Sequence, residues 1–109
     1  MVKRIEILVN NNAGQKFAMI SGTSMATPHV AGLGALLKAK YPTWSPAALS
    51  SAMVTTADLL DRQRRPLQAQ QLSGGPTPFL QPATPFDMGG GALNINAAVN
   101  PGLIFDAGQ

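Results

Sequence analysis

A serine that opens an apolar helix directly after a glycine is well placed for acyl transfer, and Gly22-Thr23-Ser24-Met25-Ala26 has that arrangement. The first N–H groups of a helix have no partner inside it, and the helix dipole is positive at that end. The Ser24 Oγ would attack a carbonyl carbon while the Ser24 N–H donates to the oxyanion that forms. Gly22 keeps the approach unhindered. A Ser or Thr in this position also serves simply as a helix cap, so the hydroxyl alone does not separate nucleophile from cap. A nucleophile needs a base. His29 lies five residues on, roughly 500° around a helix and about 7.5 Å along it, and so points away from Ser24. Lys16 is the alternative, as a Ser-Lys pair. Asp87, beside a glycine run, reads as a turn or capping residue and not as a catalytic carboxylate. Pro28, just inside the first turn, leaves a carbonyl near Ser24 without its usual donor.

The elements that must hold Ser24 follow from the pattern around it. Ile5, Ile7 and Val9 alternate with other residues as in a short strand ending at Asn10 to Gly14. Phe17 to Ile20 is a second apolar run, closed by a Ser21-Gly22 turn. From Ser24 the spacing predicts a helix to about Lys40, stopped by Tyr41-Pro42, with Lys38 and Lys40 against its negative end. Between Met25 and Leu37 only Thr27 and His29 carry polar side chains, so this helix calls for cover on all sides. Isolated from such cover it would expose apolar surface and aggregate. Trp44-Ser45-Pro46 starts a second helix, with Ser45 as cap and Trp44 stapled onto Leu49; Leu49, Ala52, Met53 and Thr56 give it one apolar face to about Ala57. Asp58 to Thr84 loses periodicity and reads as a long surface loop. Gly89-Gly90-Gly91 implies tight turning or close backbone approach, and Asn94 to Val99 a short helix.

Composition narrows the function classes. Apolar residues are 45% of 109 and charged residues 12%, the balance of a buried piece of a globular protein and not of a disordered tail. The net charge is +3, with Arg62, Arg64 and Arg65 in one cluster, too little for a nucleic-acid footprint. No Lys-Ser or Lys-Thr follows the glycine run, as a phosphate loop requires. With no cysteine and one histidine, thiolate and multi-histidine metal sites are excluded, and no cofactor is expected. The opening apolar run is too short and broken for a signal peptide or membrane span.

Gly22-Thr23-Ser24-Met25-Ala26-Thr27-Pro28-His29-Val30-Ala31-Gly32 resembles the active-site serine signature of the subtilisin-like serine proteases, without departure. Lys40-Tyr41-Pro42-Thr43-Trp44-Ser45-Pro46-Ala47-Ala48-Leu49 and Thr55-Thr56-Ala57 look like the helices that follow in plant subtilases. Phe86 to Gly91 and Asn100 to Asp106 are similar to the segment that closes the plant catalytic domain. The resemblance runs from about Lys16 to Asp106, so residues 15–109 are read as the C-terminal part of such a domain and residues 1–14 as a segment unlike the family. It implies an α/β fold in which the helix after Ser24 is central and buried, a second amphipathic helix lies beside it, and short strands are few. It also implies a secreted serine endopeptidase acting on peptide or protein substrates, with Ser24 as nucleophile and His29 as a buried structural residue. The family's Asp and His triad members and its oxyanion Asn belong to regions ahead of this serine, and none falls in this chain. The chain alone is therefore expected to be inactive. The competing reading is a non-catalytic truncated product or an interaction module that reuses the helices.

Overall fold

The computed structural model describes residues 4–7, 14, 18–71 and 79–106. Two strands lead into the first helix. β1 (Arg4–Ile7) pairs antiparallel with β2 (Ala18–Ser21), in register Arg4 to Ser21 and Ile7 to Ala18. The alternation at Ile5 and Ile7 and the apolar run ending at Ile20 thus fall in two paired strands; Val9, Asn10 to Ala13, and Phe17 lie outside the described residues.

α1 (Thr23–Lys40) begins after Gly22 and ends with Lys38 and Lys40 in its last turn, as the spacing predicts. Both lysines also brace neighbouring chain. Lys38 Nζ donates to the Pro42 and Trp44 carbonyls at 2.7 and 3.0 Å, and Lys40 Nζ to the Val99 carbonyl and Asn100 Oδ1 at 2.8 and 2.9 Å. The Tyr41 hydroxyl joins the same Val99 carbonyl at 2.8 Å, with its ring stacked on Trp44, centroids 3.9 Å apart. Pro28 is the sixth residue of α1, a turn deeper than the sequence reading put it; the donor it lacks is the one that would reach the Ser24 carbonyl.

α2 (Pro46–Thr55) starts where expected, the Ser45 Oγ accepting the Ala48 N–H at 3.0 Å, and stops two residues before Ala57. Its Ala52 is fully buried with Leu33 and Leu37 of α1 and Ala98 of α4 (Ile95–Ala98), and Trp44, Leu49, Met53, Leu93 and Val99 pack around that cluster. Asn94 caps α4 by accepting the Ala97 N–H at 3.0 Å.

Two expectations are corrected. The first is the central, buried helix: within this chain α1 buries only Ala26, Leu33 and Leu37, one stripe, while Val30 is 42% and Leu36 55% exposed. The reason is simple supply, since among the described residues its cover comes from α2, the first hairpin and Ala98 of α4. The predicted exposure of apolar surface is what results. The second is the loop from Asp58 to Thr84. It contains β3 (Gln68–Gln71) and β4 (Phe79–Pro82), antiparallel with Gln68 opposite Pro82, and a tighter hairpin bridged between Leu60 and Pro66. At its tip the Arg64 N–H donates to the Asp61 carbonyl at 2.9 Å and the Asp61 N–H to the Arg65 carbonyl at 2.8 Å. Arg64 itself has φ 62°, the left-handed residue that completes a three-residue hairpin loop.

The Asp61 carboxylate clips this tip. It accepts the N–H groups of Gln63 and Arg65 at 2.8 and 2.9 Å and the Arg65 Nε at 2.9 Å. The Arg65 N–H above all, then its guanidinium and the Gln63 N–H, hold the Asp61 pKa below its ordinary value. A depressed folded-state pKa means that the clip is at full strength above the unfolded value and is lost as pH falls through the folded one.

Past β4, α3 (Pro85–Met88) leads into the glycine run. Gly89 and Gly91 have φ 58° and 116°, and a Cβ at Gly91 would fall on the Asp58 carbonyl. Close approach is needed there because Asp58 and Ala92 exchange backbone bonds, N to O, at 2.8 and 2.9 Å. Gly91→Ala is therefore expected to destabilise the chain by about 1–3 kcal/mol, backbone strain plus a lost bridge. The check is the urea midpoint; an unchanged midpoint would mean that the Asp58–Ala92 bridge is dispensable.

Candidate active site

Ser24 is the second residue of α1, so the sequence places it where expected: in the first turn, exposed, at the positive end of an 18-residue helix. The Gly22 carbonyl accepts the Met25 and Ala26 N–H groups, both at 3.2 Å, which starts the helix one residue ahead of Ser24. As first-turn groups, the Thr23 and Ser24 N–H have no carbonyl a turn back within the helix. Gly22 has φ 155° and ψ 162°, a backbone state open essentially to glycine alone, and this is why a glycine stands there.

The side chains around the serine are sparse. Ser24 Oγ lies 3.7 Å from the Met25 Sδ, a weak contact, and meets no base among the described residues. Thr27 turns its hydroxyl back to the Thr23 carbonyl at 2.8 Å, so it bonds to the helix backbone and does not address Ser24. His29 Nδ1 donates to the Met25 carbonyl at 2.9 Å. The ring is thus held along the helix and does not meet the serine, as its spacing predicts; it is exposed in this chain, not buried as the family resemblance implies. Lys16 lies outside the described residues. Asp87 accepts the Thr84 N–H and hydroxyl at 2.9 and 2.8 Å, the capping role expected for it, far in function from a triad carboxylate.

A shallow cavity of about 560 Å³ lies elsewhere, lined by Ala57, Asp58, Leu59, Leu60, Asp61 and Arg64, and no residue of α1 contributes to it. Among the described residues no group of three or more His, Asp or Glu side chains could hold a metal ion. No helix among them is long and apolar enough to cross a membrane. What the sequence reading missed is the anchorage of the helix from its far end: Lys40 and Tyr41 converge on Val99 across 58 and more positions, and no local pattern reports such a tie.

Ser24 thus stands exposed at the N-terminus of α1, directly after Gly22 and Thr23. The subtilase family model matches residues 3–85, a span that begins inside the segment 1–14. The chain belongs to the subtilase family of serine proteases. It is 60% identical over 98 residues to the subtilisin-like protease SBT2.6 of Arabidopsis thaliana, covering 90% of this chain and 12% of that protein. The Arabidopsis SBT2.5 protein is 58% identical over the same length, and the Solanum lycopersicum protein SBT3 is 48% identical over 91 residues, 84% of this chain and 11% of that protein. The chain thus spans about an eighth of the length of these relatives.

Proposed function

We propose that this chain supplies the nucleophile segment of a subtilisin-like serine endopeptidase, with Ser24 as the attacking residue and peptide or protein as substrate. The observation that carries the reading is the position of Ser24 at the open end of α1, behind a glycine whose φ of 155° other residues rarely adopt. In a complete domain a histidine takes the Ser24 proton, a carboxylate orients that histidine, and the Ser24 N–H shares the oxyanion with a second donor. Family membership supports a secreted enzyme, as plant subtilisin-like proteases are.

By the same reading residues 1–109 alone do not hydrolyse peptides. A serine hydroxyl attacks slowly unless a base within about 2.6–3.2 Å takes its proton. The one histidine of the chain is tied to the Met25 carbonyl. The test is fluorophosphonate labelling and peptide turnover of the soluble chain beside Ser24→Ala. Equal, background signal from both is expected. Ser24-dependent labelling at a protease-like rate would reveal a base within the chain, with Lys16 the first residue to replace, and would overturn the incomplete-site reading.

A further inference from the structure

The Asp61–Arg65 hairpin tip has no part in the serine site, yet it concentrates three of the eight basic residues, Arg62, Arg64 and Arg65, all exposed. Its left-handed position is filled by Arg64, φ 62°, where glycine or asparagine would be at ease. A β-carbon in that conformation resists it, so the tip is held in shape by the Asp61 clip and not by its own preference. Exposed loop tips are where proteases nick folded chains.

The residues on either side of the tip are bound to each other by contacts that no cut there would sever. Ahead of it stand α1 and α2; after it come β3, β4, α3 and α4. Ala98 from the second part is fully buried against Leu33, Leu37 and Ala52 from the first. Asp58 and Ala92 exchange two backbone bonds, the Phe105 N–H donates to Ser51 Oγ at 2.8 Å, and Lys40 reaches Val99 at 2.8 Å.

We propose that this tip is a proteolytic modification site for an arginine-directed protease, and that cleavage there gives a two-chain form held together by the α1–α2–α4 core. Water adds across the Arg62–Gln63 or Arg64–Arg65 peptide bond, leaving a carboxylate on the arginine and an amine on the following residue. The Asp61 carboxylate sets the rate, because the tip must leave its hairpin shape and become extended to enter a protease cleft. Asp61→Ala frees both N–H groups and the Arg65 guanidinium at once.

The experiment treats the 109-residue chain with an arginine-specific endoprotease under native conditions, with mass spectrometry to locate the cuts and size-exclusion chromatography to follow the products. Cleavage after Arg62 or Arg64 is expected, with both products co-eluting at the volume of the uncut chain and separating only in denaturant. Asp61→Ala is expected to be cut at least several-fold faster, while Arg62→Gln/Arg64→Gln is not cut at the tip. An intact tip after prolonged digestion, or products that separate without denaturant, would overturn the proposal; so would an Asp61→Ala chain cut no faster while its far-ultraviolet circular dichroism is unchanged. The readout is independent of Ser24, so its failure leaves the protease reading untouched.

Discussion

Ser24→Ala is expected to lower kcat by on the order of 10⁶-fold when this segment works inside a complete domain, a magnitude carried over from removal of the nucleophile in subtilisin itself. A plant subtilisin-like protease whose own segment is replaced by residues 18–106 provides that setting, since SBT2.6 is 60% identical over 98 residues. The loss is large because Ser24 forms the covalent bond, and what survives is the catalysis of the oxyanion site and binding cleft alone. KM should change little, for the hydroxyl contributes to the transition state more than to ground-state binding. Peptide turnover by the chimera and its Ser24→Ala version checks this. A loss of only tenfold would reduce Ser24 to a helix cap, whose removal costs stability and not chemistry.

Leu37→Ala should have the largest effect on stability, about 2–5 kcal/mol, from lost transfer energy plus the cavity left behind. Among the described residues Leu33 and Leu37 are the only large side chains that are fully buried, the other buried ones being alanines. For a domain whose whole stability is of order 5–15 kcal/mol, one such change removes a large share. Urea unfolding followed by circular dichroism measures it. Leu36→Ala, at a side chain 55% exposed, is the matched control and should shift the midpoint little.

Much of this architecture is legible in the sequence, for reasons that differ by element. Helix signals are local: Ser45-Pro46 announces α2 and its cap forms as expected, and the short helix expected from Asn94 forms as α4, with Asn94 capping it. The two strands of the first hairpin follow from their apolar runs, whereas their pairing does not. The hairpins between Asp58 and Thr84 were hidden because their residues carry the wrong local marks. β3 is Gln-Ala-Gln-Gln, without the β-branched or aromatic residues that favour strands, and β4 ends in Pro82. The tip of the tighter hairpin has Arg64 where a glycine would have flagged the turn. The burial of α1 is not legible in the sequence for another reason. An apolar helix surface states a need for cover, whereas the cover available depends on what else packs there, and here that is one stripe. The glycine run was read correctly in outline, but its partner, the Asp58 carbonyl, lies more than 30 positions away and leaves no mark on the local sequence.

Of the candidate site, the place of Ser24 at the start of a helix and its separation from His29 are both legible in the sequence, three and six tenths residues per turn being enough to set the two apart. The structure adds what the ring does instead, donating to the Met25 carbonyl.

The most direct measurement is the location of a fluorophosphonate adduct by tandem mass spectrometry in the chimera that carries residues 18–106. The account predicts one adduct, on Ser24, absent from Ser24→Ala and from the 109-residue chain alone. An adduct on another residue of the segment, or labelling that survives Ser24→Ala, would contradict it.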